Sequence, residues 1–149
     1  MEENQIYDYR LEPQAVDYLR ETAKWAQFLA IIGFIGIAFL VLFAFFAGTM
    51  MSTFSSLGNN PELGSMGGMI TIIYLVIAVL YFFPVMYLYR FASRMKDALR
   101  MNSADTMTAS FESLKSHYKF MGIFTIVILS IYLLIFLIAI IGGAALASM

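Results

Sequence analysis

His117 is the single histidine of this 149-residue chain, and it stands between Lys115 and Lys119. Histidine is the side chain whose ordinary titration falls near neutral pH, which suits a base, a proton shuttle or a metal ligand. A lone imidazole flanked by two lysines reads instead as an interfacial polar residue. The eleven methionines offer softer chemistry. Met50, Met51, Met66 and Met69 cluster in sequence, and Met66-x-x-Met69 has a spacing that thioether ligands of Cu(I) could use. No Cys or His supports them there, and the plainer reading is flexible apolar filler. Cysteine is absent, which excludes disulfides, iron–sulfur clusters and thiolate metal sites. Catalytic residues, cofactor-binding residues and metal ligands: none is assigned. An enzyme is the least favoured class.

The elements that position these residues are long apolar runs. The chain is 61% hydrophobic and 13% charged, with a mean hydropathy of +0.80. Soluble domains sit nearer 45–50% apolar and about 25% charged. A bilayer core about 30 Å thick needs about 20 apolar residues in a helix. Residues 25–47, 69–89 and 120–141 qualify, and none contains a charge. The first run is too long for a secretory signal, and no clean cleavage site closes it, so it is read as retained. Gln27, Thr71, Thr125 and Ser130 are polar residues within the runs, read as interhelical hydrogen bonds rather than a translocation path. Ion-coupled porters place ionisable groups at membrane depth. Their absence here argues against such a porter and leaves a passive pore open.

The nine cations decide the threading. Arg10, Arg20 and Lys24 precede the first run; Arg90, Arg94, Lys96, Arg100, Lys115 and Lys119 lie between the second and third. Loops rich in Lys and Arg stay cytoplasmic. Each boundary on that side pairs a cation with an aromatic: Lys24–Trp25, Tyr89–Arg90 and Lys119–Phe120. The expected fold is an all-α membrane protein with three transmembrane helices, N-terminus cytoplasmic and C-terminus outside. It is read as a single membrane domain over 1–149: a cytoplasmic segment 1–24, an outer loop 48–68, a cytoplasmic helical hairpin 90–119 and an outer tail 142–149.

On the cytoplasmic side, Leu11-Glu12-Pro13 marks a helix start, with Leu11 and Val16 at staple spacing. The first helix is expected over 13–47. Phe91, Met95, Ala98 and Leu99 form one apolar stripe; Met107, Phe111, Leu114 and Tyr118 form another. Asn102-Ser103-Ala104-Asp105 offers a stop and a new cap between them. These helical extensions are expected to form a short amphipathic bundle rather than lie flat in the interface, because their polar faces mix signs. In the outer loop Asn60–Pro61 is a turn signal. Gly142–Gly143 is expected to end the third helix. Pro84 predicts a kink in the second. Ala26, Ala30, Gly33 and Gly36 lie roughly along one side of the first run and suggest close packing, for which a partner is needed.

Residues 1–24 hold six acids and three cations; residues 90–119 hold six cations and three acids. The N-terminal helix and the hairpin are therefore expected to pack through opposite charge, within or between chains. A faint parallel repeat aligns Leu19-Arg20-x-x-x-Lys24-Trp25 with Leu114-Lys115-x-x-x-Lys119-Phe120; shared membrane-entry physics explains it as well.

The stretches YLRETAKWAQFLAIIGFIG (18–36), FPVMYLYRFASRMKDAL (83–99) and SFESLKSHYKFMGI (110–123) together resemble a family of small bacterial inner-membrane proteins of unknown function. That resemblance implies a bacterial plasma (inner) membrane location and no reaction, cofactor or catalytic residue. The function expected is non-enzymatic: assembly as a homo-oligomer or as an accessory or scaffold subunit of a larger inner-membrane complex. The alternative is a small oligomeric channel or passive permeation protein. The partners expected are the lipid bilayer, further copies or other membrane proteins, and a cytoplasmic partner on the inner helices. No nucleic acid is expected, since the net charge is −1.

Overall fold

A computed structural model describes residues 12–147, with side chains through residue 142. It contains three α-helices and, among the described residues, no strand: α1 (Pro13–Leu57), α2 (Pro61–Met101) and α3 (Ala104–Ala147). Each is long and apolar enough to cross a membrane. The chain is an all-α membrane protein. At 1.5 Å per residue, the 45 residues of α1 measure about 67 Å, more than twice a hydrocarbon core.

Local sequence explains the ends. Pro13 occupies the first turn of α1, where a missing N–H costs nothing. Asn60 precedes Pro61 in the same way at α2. At the other hairpin, Asn102 closes α2 in the left-handed region (φ 51°, ψ 43°), a conformation asparagine tolerates. The Ser103 N–H returns to the Ala98 carbonyl (3.1 Å), a Schellman-type closure. Ser103 then caps α3 by accepting the Thr106 N–H (3.3 Å). The Leu11 half of the expected staple lies outside the described residues, as do Glu2, Glu3, Asp8 and Arg10.

Two expected breaks are absent. The segment 48–68, read as a loop, is helical except around Gly58-Asn59-Asn60. Its hydroxyls explain this: Thr49, Ser52, Thr53, Ser56 and Ser65 all donate to carbonyls three or four residues earlier, following the helix instead of competing with it. The tight turn is set by Asn59 (φ 50°), with the Ser55 hydroxyl donating to the Asn60 carbonyl (2.7 Å). The Gly142–Gly143 pair does not end α3, which continues to Ala147. Glycine costs a helix about 1 kcal/mol, and no proline follows to break it.

α2 packs against both neighbours, while the α1 and α3 backbones make no contact with each other. The α1 face on α2 is built from Ala23, Ala26, Ala30, Ala44 and Gly48, all buried, and Gly33. A methyl at Gly33 would come within 2.8 Å of Val85 Cγ2. One at Gly48 would collide with Thr71 Oγ1, and one at Gly67 would lie 3.0 Å from the Gly48 carbonyl. The small face expected to require a partner thus meets α2 of the same chain. Gly36 is not part of it: it has no heavy atom within reach of an added Cβ.

Candidate functional site

One end of the bundle carries all the described cations. There Phe91, Ala92 and Met95 of α2 pack against Ala23 and Ala26 of α1, with Leu19, Leu88, Leu99, Met107 and Leu114 closing the cluster. The N-terminal helix and the hairpin do pack together, but apolar contact joins them. The two ion pairs among the described residues, Asp17–Arg20 (3.4 Å) and Asp97–Arg100 (3.8 Å), are each within one helix. Exposed pairs of this kind contribute about 0–1 kcal/mol.

Polar bonds instead join α2 to α3. Ser110, fully buried, donates its hydroxyl to the Phe91 carbonyl (2.9 Å). Arg94 Nη1 donates to the Ala109 carbonyl and to Ser113 Oγ, both at 3.1 Å. His117 Nδ1 lies 2.8 Å from the Pro84 carbonyl oxygen. A carbonyl only accepts, so that nitrogen carries the proton. The lone histidine is a tie to the proline of α2, which runs as one helix through that buried ring. Sequence reasoning missed Ser110 and Ser113; the signal available was their three-residue spacing on the edge of the Phe111–Leu114 stripe.

On the other side of α2, like charges meet. A groove of about 370 Å³ is lined by Arg20 and Lys24 of α1 and by Lys96, Leu99 and Arg100 of α2. No carboxylate lines it. Lys96 Nζ donates to Gln27 Oε1 across the helix pair, which anchors one ammonium at the groove. Arg20 and Lys24 also line a second groove, which continues along α1 past Asp17 and Glu21 to Trp25 and Phe28. Among the described residues no ion pair joins α1 to the hairpin, and cations of both face each other instead. Glu2, Glu3 and Asp8, half of the acids behind the expected charge match, lie outside the described residues. Lysine and arginine stems can follow apolar surface while their heads converge, so net sequence charge does not determine which groups face each other.

Of the polar residues expected between helices, Gln27 bonds Lys96 and Thr71 donates to the Ala44 carbonyl (3.1 Å). Thr125 and Ser130 instead return to their own helix, at Met121 and Ile126. Met50, Met66 and Met69 are exposed at the far end, and Met51 turns its Cβ toward Gly67. No group of three His, Cys, Asp or Glu side chains comes together among the described residues.

A family model described as a family of unknown function (DUF5362) matches residues 63–141, just over half of the chain. The chain belongs to this family. The match to DUF5362 spans nearly all of α2 and most of α3, including the Arg94, Ser110 and His117 ties, and leaves α1 outside. Two of the three stretches that suggested an uncharacterised membrane family, 83–99 and 110–123, fall within it. No curated protein and no solved structure matches the chain.

Proposed function

We propose that this protein is a non-enzymatic component of the bacterial inner membrane that acts by assembly, as a homo-oligomer or as an accessory subunit. Its charged end faces the cytoplasm, as the distribution of Lys and Arg favours. One observation carries the assembly reading: α3 separates from its neighbours along its length. Its first half is tied to α2, but from 129 to 142 every residue is exposed. Exposure to lipid alone does not drive association, because lipid tails are as apolar as leucine. What favours a partner helix is access to backbone. Gly36 on α1 and Gly122 on α3 both have open space where a side chain would be, and close approach at small residues is how membrane helices associate.

A small oligomeric channel is the second reading. Thr125 and Ser130 favour it, since both are exposed on the single chain and would meet a lumen only in an oligomer. Single cysteines placed at Leu134, Ile135 and Ile138 test assembly cleanly, because the chain has no cysteine of its own. Cross-linked species above the monomer mass in native membranes are expected; a monomer at every position, with no adduct to another protein, overturns the proposal. Conductance in reconstituted bilayers separates the channel from the scaffold.

A further inference from the structure

We propose that Arg20, Lys24, Lys96 and Arg100 form a binding site for the phosphate of an anionic phospholipid. The inference rests on the membrane reading and not on assembly. Four cations from two helices line one groove, and no carboxylate lines it. Asp17 and Asp97 each pair with an arginine at the rim, through a single contact, with side chains 73% and 48% exposed. Counting both leaves the cluster at +2. Glu21 of α1 lines the neighbouring groove together with Arg20 and Lys24, and counting it too leaves the cluster at +1. Like charges gathered across a helix pair repel unless an anion sits among them. Lys96 is held by Gln27, so one donor is already positioned before any ligand arrives.

Two features select a lipid over free phosphate. Lys24 immediately precedes Trp25, which is 59% exposed and marks headgroup depth in the sequence, and Lys96 reaches Gln27 just beyond it. Arg20 and Lys24 are shared with the groove that runs on to Trp25 and Phe28. A phosphate on the cations would therefore have its acyl chain along exposed aromatic surface, with Leu99 under the glycerol. Basic pockets between membrane helices bind anionic headgroups in this way.

The test uses the full chain in neutral detergent, with phosphatidylglycerol or phosphatidylcholine added, and native mass spectrometry to count retained lipid. Selective retention of phosphatidylglycerol is expected. R20Q/R100Q leaves the Lys96–Gln27 bond intact and is expected to lower that affinity roughly thirty-fold, from about fivefold per cation. R20Q/K24Q/K96Q/R100Q is expected to abolish the preference. R90Q/K119Q, which removes two exposed cations from the same end, is expected to retain it. Equal loss in R90Q/K119Q would show a diffuse surface charge effect and overturn the site. Displacement of the lipid by equimolar inorganic phosphate or glycerol 3-phosphate would overturn the lipid source. The same spectrum reports chain number, so a lipid-bound monomer counts against assembly alone, and a lipid-free oligomer counts against this site alone.

Discussion

The two seams of α2 are built on different principles. Toward α1 the contact is long and made of small residues, from Ala23 and Ala26 at the charged end to Gly48 and Gly67 at the far end. Toward α3 it is concentrated in the charged half, and a serine, an arginine and a histidine hold it by bonding backbone carbonyls of α2 or side chains of α3. In a membrane, apolar contact between helices brings little, and close packing and hydrogen bonds do the joining. The first seam relies mainly on shape, with two donors across it, Thr71 to the Ala44 carbonyl and Lys96 to Gln27; the second relies on Ser110, Arg94 and His117 as donors. The hairpin α1–α2 is thus complete in itself, while α3 is fastened at one end and open at the other.

The comparison can be broken most severely at Gly67. A larger side chain there meets the Met51 Cβ and the Gly48 carbonyl, and a backbone atom cannot rotate away. Gly67→Leu is expected to cost about 1–3 kcal/mol, the usual range for overpacking, measured by unfolding in mixed micelles. Leu134→Ala, on the open half of α3, is expected to change the same measurement by less than about 0.5 kcal/mol. Equal effects would erase the distinction between the seams.

The second seam is sharpened by Ser110→Ala, expected to cost about 1 kcal/mol by removing a buried donor. Replacing His117 with Phe should cost about 0.6 kcal/mol, the average for polar bonds between membrane helices. A cysteine cross-link between the charged halves of α2 and α3 reports both. Faster cross-linking at mismatched positions is expected as the seam loosens. Unchanged cross-linking when Ser110→Ala and His117→Phe are combined would show that Arg94 alone suffices. The smallest effect is expected for Thr125→Val: its hydroxyl bonds only its own helix, so the isolated chain should not notice its loss. A change in the oligomer but not in the monomer would place Thr125 at an interface between chains.

Much of this was readable from residues. Pro13, Asn60–Pro61 and Asn102–Ser103 each mark a helix boundary, because each has a backbone property that few other residues share. The charge-free runs are equally plain. Segment 48–68 was not readable, because Gly, Ser and Thr look the same in a loop as in a helix that needs close approach; only the facing Gly67 and Thr71 distinguish the two. The apposition of Arg20 and Lys24 with Lys96 and Arg100 was hidden for a related reason. A sum of charge over a segment carries no helical phase, so it does not show that Asp17 and Glu21 stand beside Arg20 and Lys24 on α1 rather than against Lys96 and Arg100 of α2. Neither the Ser110–Phe91 bond nor the His117–Pro84 bond could be read either, since their partners are carbonyls, which every residue has. The cations at one end were legible as a boundary marker, and their convergence in a groove was not.

Assembly is tested most directly by native mass spectrometry of the wild-type chain extracted gently from its membrane, beside Gly122→Leu. The wild type is expected to appear as several 16.8 kDa copies or together with another membrane protein. Gly122→Leu, which adds bulk where the single chain has open space, should shift it toward monomer. A wild type that persists as a lone monomer would contradict the account.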